Sequence, residues 1–262
     1  MFGLKRLRRR RWRDQPFPDA WRTVMEKNVP YYRLLDPAEQ KELQGHVQVF
    51  LKEKRFEGID GLKINDEIRV TIAAQACILL LNRETDYYPT LISILVYPHS
   101  YQVQNEKRRP DGTVEEREET RLGESWYRGE VVLSWTDVRR GSLRVSDGHN
   151  VVFHEFAHQL DSESGSNEGV PALPHFSMYP IWSEIFAREY DRLLDDLEHH
   201  RPTVLRSYGA ESPAEFFAVA TEAFFEKPLA LRERHPDLYE QLQLYYQQDP
   251  ARRFAETMQY DA

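Results

Sequence analysis

Two histidines four residues apart, with a glutamate beside the first, form the segment of this chain whose spacing best suits chemistry. The segment reads His154-Glu155-Phe156-Ala157-His158. On a helix, residues four positions apart differ by only about 40° around the axis, so both imidazoles can reach one metal ion. Glu155 lies about 100° from His154, which suits a general base acting on a water beside the metal. The segment predicts a zinc site with Glu155 as the general base.

This geometry requires a helix, and the surrounding residues favour one over 150–161. Asn150 is a candidate N-cap. Apolar side chains gather on the arc of the helical wheel opposite the histidines: Val152, Phe153, Phe156, Ala157 and Leu160. A chance match to His-Glu-x-x-His has a probability on the order of a few percent in such a chain, and would leave a histidine pair that is solvated or hydrogen-bonded in the core. The amphipathic pattern favours the metal site over that alternative.

A catalytic zinc ion needs a third protein ligand besides the two histidines. The third histidine of the longer pattern His-Glu-x-x-His-x-x-Gly-x-x-His is absent, because Asp161 and Ser164 stand at the equivalent positions. Asp161 is one candidate. The others share one face of a helix predicted over 212–226, which is otherwise rich in phenylalanine and alanine: Glu215, Glu222 and Glu226. Burial of such a row of carboxylates requires cations or hydrogen-bond donors.

Glu215 and Glu222 each have a second interpretation. Ser212-Pro213-Ala214-Glu215 matches a capping box with proline at the first helical position, which would explain Glu215 without a metal. Glu222 lies in the middle of the helix, where no cap explains it. It suits either a metal ligand or a hydrogen-bond partner of a ligating histidine. The spacing alone leaves the third ligand open.

These side chains need a scaffold, and the chain predicts helices on both sides of a short stretch of strands. The predicted helices cover 37–54, 65–82, 150–161, 181–199, 212–226 and 236–247, and the predicted strands cover 91–97 and 130–135. The polar stretch 104–120 reads as an exposed loop, and Gly123–Trp126 as part of an edge that pairs with extended peptide. The expected class is α+β, with a small mixed sheet framed by helices and the zinc site between two helices.

The bulk composition indicates one globular domain preceded by a basic arm. Hydrophobic residues make up 40% of the 262, and the net charge of -8 does not favour nucleic acid or a membrane as a partner. Residues 1–20 contain a run of arginines with no apolar stretch after it and read as a flexible arm, followed by a single catalytic domain over 21–262 with a helical N-terminal part. Cys77 is expected to be a buried thiol. We expect a cytoplasmic location.

Three segments taken together resemble the Mlc titration factor A family, over most of the chain. They are His154 to Asp161, the upstream segment Gly129-Glu130-Val131-Val132-Leu133-Ser134-Trp135, and the downstream segment Ser212-Pro213-Ala214-Glu215-Phe216-Phe217-Ala218-Val219. The zinc-site region is also similar to the catalytic domain of anthrax lethal factor. In both, a tyrosine-glycine pair precedes the helix that supplies the third ligand, and Tyr208-Gly209 stands at that place here.

The resemblance implies a zincin-like metallopeptidase with one zinc ion per chain. The residues carried over are His154, His158 and Glu215 as zinc ligands, Glu155 as the general base and Tyr208 as a hydroxyl donor. Glu222 and Asp161 remain, from the residues alone, hydrogen-bond partners or alternative ligands. The family implies aminopeptidase-like hydrolysis of peptides and binding to a glucose repressor of the Mlc type. The alternative is a protein that sequesters a transcriptional repressor with little or no catalysis.

Overall fold

The computed structural model describes residues 2–108, 114–121, 123–126, 129–144, 146–165 and 167–260. Its helices are α1 (Phe2–Arg13), α2 (Asp19–Asn28), α3 (Pro37–Glu53), α4 (Asp66–Ile78), α5 (Trp135–Leu143), α6 (Val151–Ser162), α7 (Met178–Glu198), α8 (Pro213–Glu226), α9 (Pro228–Arg234), α10 (Pro236–Tyr246) and α11 (Pro250–Tyr260). Its strands are β1 (Arg55–Gly58), β2 (Ser93–Tyr97), β3 (Tyr101–Arg108), β4 (Val114–Arg121), β5 (Gly123–Trp126) and β6 (Glu130–Ser134). Short 3-10 turns cover Pro30–Leu34 and Ser207–Ala210. None of these helices is both long and apolar enough to span a membrane.

Four of the strands form a mixed sheet in the order β1-β2-β6-β5. The first three are parallel, with Phe56 opposite Ile94 and Val96 opposite Leu133. β5 pairs antiparallel with β6 and occupies an edge of the sheet. The expected α+β class, with a small mixed sheet framed by helices, is confirmed and is consistent with a zincin-like domain.

The helix that carries the two histidines, α6, is held by an aromatic cluster on its apolar side. The Phe156 ring lies 5.7 Å from that of Phe50 on α3 and 4.8 Å from that of Tyr88, centroid to centroid. All three rings are buried, as are Ile94 and Leu133 on the central strands. Because aromatic burial dominates core energetics, this packing fixes α6 by its apolar side.

The interpretation of 104–120 as an exposed loop is wrong for the described residues on either side of 109–113. Strands β3 and β4 form an antiparallel pair in which Tyr101 lies opposite Arg121 and Arg108 opposite Val114. The positions 109–113 lie outside the described residues. Both strands are rich in polar residues, and the ladder is built from backbone groups, so the side-chain pattern did not reveal it.

The flexible arm predicted at the N-terminus is also wrong, because α1 is a helix packed against the body of the protein. The Arg9 guanidinium donates to Glu53 Oε1 and Oε2 at 2.9 and 2.7 Å and also pairs with Asp86. Lys5 Nζ lies 3.2 Å from Asp86 Oδ1. These carboxylates are distant in sequence, so a local pattern could not show that the basic run has partners. The single domain over 21–262 remains a prediction.

Candidate metal centre

Helix α6 positions His154 and His158 so that their outer ring nitrogens face each other. The helix begins after Asn150, whose Oδ1 accepts hydrogen bonds from the N–H groups of Val152 and Phe153, both at 3.1 Å. One turn separates the histidines, and their Nε2 atoms lie 3.3 Å apart. Both residues are buried. The predicted helical geometry is therefore present, and it brings the two Nε2 atoms close enough to bind one metal ion.

Helix α8 brings Glu215 to the same point. Ser212 Oγ caps the helix by accepting from the Glu215 N–H at 3.2 Å, as the capping pattern predicted. The Glu215 carboxylate, however, is directed at the histidines, with Oε2 3.0 Å from His154 Nε2 and 3.3 Å from His158 Nε2. The backbone of Glu215 serves the cap while its side chain serves the cluster, so the two interpretations of this residue are compatible.

Glu222 contacts the other nitrogen of the first histidine. Its Oε2 lies 3.1 Å from His154 Nδ1, and the same carboxylate pairs with Arg206. Its Oε1 accepts from the Asn150 N–H at 2.7 Å. A carboxylate on Nδ1 fixes the ring orientation and leaves Nε2 directed at the cluster. This arrangement favours Glu222 as a partner of the ligand over Glu222 as a ligand.

The chemistry of the cluster fits a divalent cation of the zinc type. Two imidazole nitrogens and a carboxylate oxygen within 4.8 Å of one another are a donor set that zinc prefers. Burial lowers the pKa of His154, but the charge of Glu222 and hydrogen bonds with Glu215 and Glu222 outweigh it and raise this pKa to about 10. Burial raises the pKa of Glu215, but its bonds to the histidines hold it below its usual range. The carboxylates thus favour positive charge at this point.

The two residues assigned to catalysis flank the cluster. Glu155 is buried next to His154 on α6, and its charge contributes to the raised pKa of that histidine. Tyr208 lies in the 3-10 turn that precedes α8, with its ring centroid 5.6 Å from that of His154. Its exposed fraction of 42% shows that it faces the solvent side of the site. Both residues are therefore near the point where three ligand atoms meet.

Asp161 and Glu226 are not brought into the cluster. Asp161 Oδ2 accepts from the Gly169 N–H at 2.8 Å, beyond the C-terminal turn of α6. Glu226 Oε1 accepts from Asn150 Nδ2 at 3.1 Å. Within the part of the chain that the structure describes, His154, His158 and Glu215 are the only three potential ligands that converge.

Two residues that support the site were not found in the sequence. Arg206 pairs with Glu222, and Gln75 Oε1 accepts from Asn150 Nδ2 at 2.9 Å from within the buried helix α4. A glutamine in an otherwise apolar buried helix is a signal that could have identified Gln75. Arg206 has no comparable signal, because its partner lies 16 positions away on another element.

The edge strand expected to hold a peptide lies beside the metal helix. β5 occupies Gly123–Trp126, at the edge of the sheet, and contacts α6. An edge strand presents backbone groups that another extended chain can pair with. β5 therefore presents a sheet edge next to the metal helix, and its role in binding a peptide stays a prediction.

Comparison with known proteins places this chain among metallopeptidases. The model of the family described as glucose-regulated metallo-peptidase M90 matches residues 4–247. Uncharacterized protein slr2042 of Synechocystis sp. is 45% identical over 91% of this chain and 89% of its own length. Mlc titration factor A of Klebsiella pneumoniae is 31% identical over 87% and 86%, and that of Escherichia coli 30% identical over 86% and 85%. The resemblance to the Mlc titration factor A family is thus confirmed, and the chain belongs to the glucose-regulated metallo-peptidase M90 family.

Proposed function

We propose that this chain is a zinc-dependent peptidase whose metal is held by His154, His158 and Glu215. The observation that carries the proposal is the convergence of both Nε2 atoms with Glu215 Oε2 at 3.0 to 3.3 Å. Membership of a metallopeptidase family supports it independently. Three protein ligands of this kind are typical of catalytic zinc, which keeps a further position open for water or substrate.

Zinc held by these residues would supply Lewis acidity, which lowers the pKa of water and polarises a carbonyl. Glu155 is the group that we assign to proton transfer. Its carboxylate takes the proton of the attacking water and passes it to the leaving amine, so that one residue acts as base and then as acid. Tyr208 donates its phenolic hydrogen to the substrate oxygen as negative charge develops there.

The substrate that we propose is an extended peptide paired with β5. Because β5 is antiparallel to β6 and lies beside α6, a peptide added at this edge would pass the metal centre. An aminopeptidase-like preference rests on the resemblance in sequence to the Mlc titration factor A family, whereas the cytoplasmic location stays an expectation from the sequence. The relatives at 30 to 31% identity, over most of both chains, support that resemblance.

A second function that we propose is binding to a glucose repressor of the Mlc type. The name of the relatives, Mlc titration factor A, supports it. Binding and catalysis are compatible, but a protein that only sequesters a repressor would not need Glu155. Replacement of this residue therefore distinguishes the two functions.

The experiment that tests the peptidase proposal is hydrolysis of small amino-acid amides and peptides by Glu155→Gln. We expect the zinc-loaded wild type to hydrolyse them and the variant to be slower by about 10² to 10⁴, because it has lost the base. Its zinc content should match that of the wild type, since Glu155 is not a ligand. Glu211→Gln is the matched control, because Glu211 is an exposed glutamate just before α8.

Two results would overturn parts of this proposal. Hydrolysis by Glu155→Gln at the wild-type rate would remove Glu155 from the role of base. A zinc-loaded wild type that cleaves no peptide, but binds an Mlc-type repressor equally well with and without the Glu155→Gln change, would establish the binding-only alternative.

A further inference from the structure

Helix α1 and the rest of the protein carry opposite charge. The helix contains seven basic residues and no acidic one: Lys5, Arg6, Arg8, Arg9, Arg10, Arg11 and Arg13. The chain carries -8 in total and the helix +7, which leaves -15 for the remaining residues. Such an asymmetry produces a field that directs the helix toward an anionic partner and directs the body away from it.

One arc of α1 is attached to the body, which fixes the rotation of the helix about its axis. Arg9 forms the paired hydrogen bonds with Glu53, at 2.9 and 2.7 Å. Trp12 lies between two cations, with the Arg8 guanidinium carbon 4.9 Å and Lys52 Nζ 5.6 Å from its ring centroid. The opposite arc must therefore face solvent.

That outer arc has an apolar centre with arginines on both sides. Leu4 and Leu7 are 76% and 64% exposed, the highest values among the exposed leucines whose side chains the structure describes. At about 100° per residue, the exposed arginines that border them are Arg6 and Arg10 on one side and Arg8 on the other, with Arg11 one turn beyond Leu7. Helices that lie in the interface of a bilayer have this arrangement, because the apolar side chains enter the lipid and the basic ones contact phosphates.

A groove lies between α1 and the body, next to Arg8. It has a volume of about 360 Å³ and is lined by five basic side chains, including Arg8 and Lys52, and by two carboxylates. Arg9 and Lys5 pair with the two carboxylates, and Lys54 donates to two backbone carbonyls. Arg8 and Lys52 are therefore the side chains of the groove that suit the phosphate of a lipid headgroup. Arg8 thus both lines the groove and borders the exposed leucines.

We propose that α1 binds the surface of an anionic lipid bilayer, with Leu4 and Leu7 inserted at the boundary between headgroups and acyl chains. Nucleic acid would pair with the arginines but would gain little from two leucines placed between them. The net charge of the whole chain, from which we expected no membrane partner, averages over the two oppositely charged parts. This attachment is peripheral and reversible, because a single short helix buries little apolar surface.

The test is co-sedimentation of the full chain with vesicles of equal parts phosphatidylcholine and phosphatidylglycerol, and with vesicles of phosphatidylcholine alone. We expect binding to the anionic vesicles only. The triple variant Arg6→Gln, Arg10→Gln, Arg11→Gln should weaken it by about fivefold per arginine. The double variant Leu4→Ser, Leu7→Ser should weaken it by at least about tenfold. Circular dichroism of each variant shows whether it folds.

Matched variants elsewhere on the surface serve as controls. Three other exposed arginines are replaced in Arg22→Gln, Arg232→Gln, Arg252→Gln, and two exposed leucines in Leu143→Ser, Leu244→Ser. Both sets should bind as the wild type does. A wild type that stays in the supernatant with anionic vesicles would overturn the proposal. So would binding to the vesicles that survives the loss of both leucines, because the contact would then be electrostatic alone, without insertion of the leucines.

Discussion

Glu222 and Glu215 occupy one face of α8 but contact different nitrogens of His154. Glu215 Oε2 faces Nε2, whereas Glu222 Oε2 faces Nδ1. A carboxylate on the non-ligating nitrogen holds the ring in place and makes the ligating nitrogen a better donor. Burial raises the pKa of Glu222, but the charges of His154 and Arg206 hold it below its usual range, so the carboxylate is anionic at neutral pH.

The role of Glu222 can be measured as metal affinity. Replacement by glutamine keeps the size of the side chain and removes the charge, so we expect Glu222→Gln to bind zinc about 10- to 100-fold more weakly than the wild type. Competition with a coloured chelator gives the affinity.

The control for this experiment lies one turn further along α8. Burial raises the pKa of Glu226 well above its usual range. Its Oε1 accepts from Asn150 Nδ2 and not from a histidine, so Glu226→Gln should leave zinc affinity unchanged. An unchanged affinity of Glu222→Gln would show that the contact with His154 has no influence on the metal.

At the scale of elements, a loop residue connects the C-terminal turn of α6 to the start of α8. Asp161 accepts from the Gly169 N–H, and the Gly169 carbonyl accepts from Trp182 Nε1 at 3.1 Å. Gly169 has a φ of +76°, and a Cβ at this position would lie 2.3 Å from the carbonyl oxygen of Pro213. Pro213 begins α8, two residues before Glu215. The loop therefore sets the distance between the helices that hold the ligands.

Gly169→Ala should separate these helices. We expect the variant to lose about 1 to 3 kcal/mol in free energy of unfolding, because the added methyl group has no space and the backbone is strained. We also expect weaker zinc binding, since the start of α8 must move. Thermal unfolding and chelator competition measure the two effects.

Gly165→Ala separates strain from contact. Gly165 has a φ of +88°, but no atom of the residues that the structure describes lies within 4 Å of an added Cβ. This variant should show the cost of backbone strain without a change in zinc affinity. Equal zinc affinities for wild type and Gly169→Ala would contradict the proposed connection between the loop and Glu215.

The C-terminus of α6 carries a second, pH-dependent feature. Burial raises the pKa of Glu163 to about 7 against the opposing charge of Arg83, and Glu163 Oε1 has no hydrogen-bond partner among the described residues. The folded state thus binds the Glu163 proton more tightly than the unfolded state does. Protonated Glu163 therefore stabilises the fold below pH 4.5, and this stabilisation is lost as the pH rises to about 7.

Glu163→Gln should remove the loss of stability that the wild type shows as the pH rises. Relative to the wild type, we expect the variant to gain free energy of unfolding as the pH rises through this window, by up to about 3 kcal/mol. Urea unfolding at pH 5 and pH 8 measures the difference, with the exposed Glu168→Gln as control. A difference between variant and wild type that does not change with pH would show that Glu163 titrates normally.

For the molecule as a whole, the sequence predicted what depends on local pattern. The histidine helix, the helix of Glu215 and the central strands follow from periodicity and capping residues, and α6 and α8 lie close to the predicted bounds. The sequence missed what depends on partners distant along the chain. Arg206 pairs with Glu222, and Arg9 with Glu53 and Asp86, across separations that no local pattern encodes.

The choice among Glu215, Glu222 and Asp161 illustrates the same limit within the site. All three are acidic residues that the sequence pattern allows as the third ligand beside His154 and His158. The family resemblance was needed to favour Glu215. The fold distinguishes them because α6 and α8 pack so that one carboxylate reaches both Nε2 atoms, while Glu222 reaches Nδ1 and Asp161 reaches Gly169. Packing of two helices, rather than sequence spacing, determines the donor set.

The zinc site that we propose on His154, His158 and Glu215 can be tested by the metal content of the protein, measured by elemental mass spectrometry after equilibration with zinc. We expect about one zinc ion per chain in the wild type and in the control Glu211→Ala, and little or none in His154→Ala and Glu215→Ala. A wild type without zinc, or a Glu215→Ala variant that retains it fully, would contradict the account.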